Sequence, residues 1–188
     1  MKPLLIFTFI YFNQIIIFAQ NVADAESFVS QINTRMLKKD YNGAIQISNM
    51  AIRQNPENER LYYYLGAASY ELKYYDSAIT NYTKAIKICN NSMIFFPMTD
   101  EESEINNRFI NSAYKLRGYS KFKMEDYLGA ISDYDYVIVF DPYDAETYFN
   151  RGLVKLLLNQ KREGCIDLSR AGELGYSKAY RQIKLYCH

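Results

Sequence analysis

The chain has 188 residues, a length suited to a single domain. Hydrophobic residues make up 49% of it, Tyr occurs 19 times, Gly only 8 times and Trp not at all, which favours helices packed through aromatic side chains over a glycine-turned β-sandwich. A formal net charge of +1 leaves none of the basic excess that nucleic acid or an anionic membrane surface would require.

The first segment stands apart from the rest. Lys2 precedes an apolar run that only Asn13 and Gln14 interrupt, and Ala19 follows Ile17 and Phe18. This is the pattern of a secretory signal peptide over residues 1–19, cut after Ala19 to leave Gln20 first. The expected location is periplasmic or secreted, with no membrane insertion after cleavage. The competing reading is an uncleaved anchor over residues 4–19, a run almost long enough to span a bilayer. Loss of residues 1–19 removes Lys2 and no acid, so residues 20–188 are close to neutral.

From residue 25 onward the sequence repeats itself. Small residues at Ala44, Ala78, Ala130 and Gly164 each precede an aliphatic residue or Cys, and a second small or aliphatic residue follows seven places later. Their spacings are 34, 52 and 34, the middle one being a 34-residue period with an insertion. Upstream of three of them, Tyr62, Tyr114 and Tyr148 each stand four residues before Gly66, Gly118 and Gly152. Pro56 and Pro142 each lie twelve residues after Ala44 and Ala130. A glycine in mid-helix costs about 1 kcal/mol against Ala, a cost that makes sense where a second helix must approach closely. Pro cannot continue a helix, so Pro56 and Pro142 separate one unit from the next, and Asp144 suits the N-cap that follows.

This pattern resembles the tetratricopeptide repeat: an aromatic, then Gly, then Ala and an aromatic, then Ala and Pro, on a 34-residue period. The resemblance implies an all-α fold, an α–α superhelix of four helical hairpins with a C-terminal capping helix. Repeats fall at 25–58, 59–92, 111–144 and 145–176, with an insertion at 93–110 and a cap at 177–188. The first unit departs from the pattern, with Phe28 and Ile32 where Tyr and Gly are usual, and Asn90 and Tyr176 stand where Pro is usual. Gly172 and Gly175 are candidate stops before the cap, in which Ala179, Ile183 and Tyr186 recur at helical spacing.

The insertion has two parts. Thr99 with Glu102 forms a capping-box signature, and Asp100, Glu101 and Glu102 suit the positive end of a helix, so the next helix is expected to begin near Asp100 and project beyond the stack. Before it, Met93, Ile94, Phe95, Phe96 and Met98 read as a loop. These large apolar side chains either pack under the projecting helix or form a hydrophobic patch for a partner, with Ile94, Phe95 and Phe96 at its centre.

The three cysteines are Cys89, Cys165 and Cys187. Cys165 and Cys187 flank Gly175 at similar distances, so an antiparallel pair of helices would bring them level. A disulfide is one outcome in an exported protein, and two buried thiols acting as small apolar groups are the other. Cys89 falls near a helix end and outside that pair.

Chemistry is absent from the pattern. There is no phosphate-binding glycine loop, no nucleophile elbow, no metal-ligand spacing and no cofactor motif, and the single His is residue 188. Asp133 and Asp135, two apart on a helix, point in different directions. The resemblance implies instead a non-enzymatic scaffold whose first helices line a concave groove. Groove-facing positions are Tyr63 and Tyr70, then Lys115, Tyr119, Phe122 and Lys123, then Phe149, Leu153 and Leu156. Such a surface suits a protein or peptide with apolar side chains and some negative charge; binding of glycan or cell wall through the tyrosines is the alternative. The clamp with which some members grip a terminal carboxylate is not expected, because the comparable positions carry Val29, Asn33, Tyr63 and Ala67 and only Asn33 agrees.

Overall fold

A computed structural model describes residues 25–95 and 99–187. The segment read as a signal peptide lies outside them, as do the side chains of Ile94, Phe95 and Phe96. The described residues form helices and no strands: α1 over 25–37, α2 (Tyr41–Gln54), α3 (Glu59–Glu71), α4 (Tyr75–Phe95), α5 (Asp100–Lys123), α6 (Tyr127–Phe140), α7 (Ala145–Leu157), α8 (Lys161–Glu173) and α9 (Lys178–Tyr186). From α2 onward each helix packs on the next in the chain, and Val29 and Ile32 of α1 share a buried cluster with Ala44 and Ala51 of α2, so α1/α2, α3/α4, α5/α6 and α7/α8 make four stacked hairpins and α9 closes the array. None of the described helices is long and apolar enough to cross a membrane.

Local chemistry fixes where α2, α3, α6 and α7 start. The carboxylates of Asp40, Asp126 and Asp144 accept from the backbone N–H of Gly43, Gly129 and Thr147, each at 3.0 Å, and Asn58 accepts from Arg60 at 3.1 Å. Each satisfies a donor that the first turn leaves without an intrahelical partner.

The turns within hairpins are just as regular. Lys39, Lys73, Glu125 and Asn159 all have positive φ, between 57° and 64°. At each, two backbone bonds run back into the ending helix, as from Lys73 to Tyr70 and from Tyr74 to Ser69, both 2.8 Å. This is the Schellman stop, built without glycine. Gly175, at φ 91°, does the same between α8 and α9. Gly172, read from sequence as a second stop, is instead a buried helical residue of α8, because the stop needs only one left-handed residue.

The small residues mark the tightest approaches. A Cβ added at Gly164 would lie 2.9 Å from the carbonyl oxygen of Gly152, and one added at Gly152 would lie 3.0 Å from that of Gly164. At Gly118 an added Cβ would lie 2.7 Å from Cε1 of Tyr134, and at Gly66 it would lie 3.0 Å from the ring of Tyr82. Both tyrosines are fully buried, so each glycine is the floor of a slot that a ring fills. Ala44, Ala51, Ala78, Ala85, Ala130 and Ala171 are wholly buried between helices.

The insertion lengthens two helices. The segment 93–95, read as loop from its sequence, continues α4, and α5 begins at Asp100. Ile88 and Cys89 in the preceding turns, three and four residues after Ala85, are buried with it on one helix face and let the same helix run on. Burial pushes the Cys89 thiol up to about 11, with a smaller contribution from the Glu59 carboxylate.

Candidate functional site: the face of the odd-numbered helices

The sequence-derived groove positions divide into those held inside the stack and those that face outward. Phe149 is buried against Tyr176, with ring centroids 4.9 Å apart. Tyr63 is half-buried among Tyr64, Tyr82 and Phe109, at 5.6, 5.8 and 5.1 Å, so it joins α3 to α4 and α5. Tyr119 packs edge-on against Tyr134 at 5.8 Å, and its hydroxyl accepts from Asn150 Nδ2 at 3.0 Å. Burial, helped by the Glu146 carboxylate, raises its pKa far above the ordinary tyrosine value. These side chains pack between helices, Phe149 buried and Tyr63 and Tyr119 half-buried, so only part of the two tyrosine rings remains to face outward. An aromatic filling the gap between helices loses more water-exposed area than one left on the surface. Tyr70 stays half-exposed beside Tyr75, 5.6 Å away.

Lys115 is also committed. It pairs with Asp144 at 2.9 Å and Glu146 at 3.0 Å, tying α5 to the start of α7. Burial works against its charge, but the hydrogen bonds and charges of Asp144 and Glu146 prevail and its pKa rises. Lys123 remains exposed, with its ammonium 5.6 Å from the centre of the Phe122 ring.

Two larger ion networks lie between helices, and the sequence reading did not anticipate them. Arg117 contacts Asp133 at 2.9 and 2.6 Å, Lys121 adds a third contact at 2.9 Å, and Nη1 of Arg117 donates to Thr83 Oγ1 at 3.0 Å. One repeat later, Arg151 contacts Asp167 at 2.8 and 2.6 Å, Lys155 adds a contact at 2.7 Å, and Nη1 of Arg151 reaches Asp135 at 2.5 Å. Asp133 and Asp135 do point in different directions: the first into its own hairpin, the second to the next one. For Arg117 and Arg151 burial opposes the charge, yet the facing aspartates outweigh it and raise both pKa values. A 34-residue spacing of Arg, Lys and Asp was the available signal. The networks are internal joints, and among the described residues no group of His, Cys, Asp and Glu has the arrangement of a metal site.

Phe122, Leu153 and Leu156 come together where the odd-numbered helices end. They line a pocket of about 500 Å³ with Leu157, Asn159 and Lys161, and with Gln182, Leu185 and Tyr186 from α9. Leu157, Leu185 and Tyr186 are 54%, 62% and 51% exposed. Tyr186, grouped by spacing with Ala179 and Ile183, thus faces the pocket, while Ala179 is wholly buried. The α9 wall is fastened by a disulfide between Cys165 and Cys187, whose Cα atoms are 5.6 Å apart. That contribution of α9 was hard to read in advance, because one nine-residue helix shows two faces and its sequence does not say which meets the stack.

A tetratricopeptide repeat family model matches residues 59–92. No curated protein matches the sequence. Solved structures do: a crystal structure of MamA is similar at TM-score 0.71 and 18% identity over 86% of this chain and 80% of that one. The first TPR domain of Spaghetti (RPAP3), bound to the HSP90 peptide SRMEEVD, is similar at TM-score 0.60 and 20% identity over 72% of this chain and 93% of that one. The TPR domain of Arabidopsis OM64 is similar at TM-score 0.58 and 22% identity over 72% and 97%. At these identities the structures speak for the fold alone: the chain is an α-solenoid of stacked helical hairpins, and residues 59–92 match a tetratricopeptide repeat.

Proposed function

We propose that this chain is a non-catalytic scaffold that holds a polypeptide segment along the face of its odd-numbered helices, with the pocket between α5, α7 and α9 as its apolar anchor point. The observation that carries this reading is the cluster of half-exposed Leu157, Leu185 and Tyr186 around that pocket. Elsewhere on the same face, Phe149 is buried and Tyr63 and Tyr119 are engaged in packing. Large apolar side chains left in water at a concave site are the usual mark of a binding surface. The RPAP3 domain, which has a similar fold, holds a peptide in its structure. Of the groove tyrosines on which a glycan reading depends, Tyr63 and Tyr119 are engaged between helices and Tyr70 is half-exposed beside Tyr75.

The setting we infer is exported, from the composition of residues 1–19. A Cys165–Cys187 disulfide supports it, since such bonds persist in oxidising compartments. A photocrosslinking residue at Leu157, introduced into the protein in its native cells, tests the scaffold reading. Capture of a polypeptide that is lost with Leu185→Glu is the expected result, and equal capture from a site on α2 would overturn it. N-terminal sequencing of the exported protein, expected to begin at Gln20, tests the export.

A further inference from the structure

We infer that the α5/α7/α9 pocket accepts a segment of a second copy of this chain, the apolar and acidic stretch over residues 93–104, so that copies associate head to tail. This rests on the reading of the pocket as a polypeptide anchor and names its occupant.

The pocket and the segment are complementary in composition. The pocket is apolar, and among its described lining residues Lys161 is the only charged one. The helix that forms its outer wall carries Lys178, Arg181 and Lys184 and no acid, and Lys123 stands exposed beside Phe122. The proposed occupant reads MIFFPMTDEESE: Met, Ile and Phe side chains, then Asp100, Glu101, Glu102 and Glu104 within five positions. Apolar residues would enter the pocket while the acids meet the basic cap, an arrangement that favours both affinity and encounter rate.

The same chain cannot fill its own pocket. The occupant lies at the start of α5 and Phe122 at its end. A continuous helix rising about 1.5 Å per residue holds Asp100 and Phe122 about 33 Å apart. Donor segment and acceptor pocket therefore belong to different parts of one chain, the condition for a heterologous contact that propagates into a ring or a filament.

The test is the association state of the full exported chain, measured by sedimentation over a range of concentrations. Growth with concentration that weakens with added salt is expected. Leu185→Glu destroys the acceptor, and the pair Glu101→Lys and Glu104→Lys weakens the donor; each variant alone is expected to associate at least about tenfold more weakly. Mixed in equal amounts they should form a dimer that grows no further, because one intact donor meets one intact acceptor. A synthetic peptide of residues 91–106 should bind wild type and the donor variant but not Leu185→Glu, with circular dichroism showing that all variants fold. A chain that stays monomeric and ignores the peptide overturns the inference. If such a monomer still crosslinks another polypeptide from Leu157, the anchor reading stands and self-docking alone fails; if it captures nothing, both fail.

Discussion

Arg151 grips Asp167 with two edges of its guanidinium, Nε to Oδ2 at 2.8 Å and Nη2 to Oδ1 at 2.6 Å. Arg117 holds Asp133 in the same way 34 residues earlier. Both aspartates are almost wholly buried, so each pair is taken out of water in the middle of a hairpin. Each arginine has a further nitrogen for the preceding hairpin, on Thr83 or Asp135. The third and fourth repeats are thus joined to their neighbours by charge as well as by nested side chains.

Removing one partner should therefore cost more than removing both. Asp167→Ala leaves Arg151 and Lys155 facing each other without the shared anion, and a loss of about 3 kcal/mol or more in unfolding free energy is expected. Replacing Arg151, Lys155 and Asp167 together by apolar residues of similar volume should bring much of that back. Urea denaturation of the single and combined variants measures the difference.

The two glycine environments predict opposite outcomes for the same substitution. Gly118→Ala drives a methyl to 2.7 Å from the buried Tyr134 ring, and overpacking of that kind costs about 1–3 kcal/mol, more than the gain in helix propensity of about 1 kcal/mol. Gly172→Ala meets only the Tyr180 ring at 3.4 Å, an ordinary contact, so helix propensity should win and stability should rise. Thermal unfolding of both variants gives the signs directly.

Reduction of the Cys165–Cys187 bond should loosen α9 before anything else. The bond closes a separation of 22 residues, for which chain entropy predicts a loss of about 3 kcal/mol. Amide exchange in 178–186 is expected to quicken on adding reductant, while exchange at the buried centre of α4 stays slow. Because Leu185 and Tyr186 form one wall of the pocket, binding of any anchored segment should weaken with it.

Alkaline unfolding should be steep. Burial raises the pKa of Tyr82, Tyr134 and Tyr119 above the ordinary tyrosine value. The folded state favours their neutral form, so the stability they contribute is complete below about pH 10, where unfolded tyrosine titrates, and is lost as pH rises above it. Tyrosinate absorbance followed alongside circular dichroism should show these rings ionising only as the helices melt. Early ionisation of all tyrosines in a still-helical protein would contradict the packing.

The hairpins, their order and the close approach at the glycines were legible because they depend on residue size at a fixed period. That the rings of Tyr82 and Tyr134 fill the space over Gly66 and Gly118 came only from the packed helices. The ion networks repeat on the same period yet went unread, since Arg, Lys and Asp on a helix usually mean a solvated face. The hairpin stops were hidden for a related reason: Lys39, Lys73, Glu125 and Asn159 adopt a conformation for which sequence points to glycine.

What the sequence by itself determined is the repeat: small side chains every 34 residues permit helix pairs to nest, and burial of their apolar faces makes that nesting favourable. Only the tertiary structure decided which aromatics are spent inside. Tyr63, Tyr119 and Phe149 face gaps whose width depends on the neighbouring hairpin, whereas Leu157, Leu185 and Tyr186 stay in water because α9 packs through Ala179 and turns its other face to the pocket. Burial belongs to the arrangement of several helices at once, and no single helix encodes it.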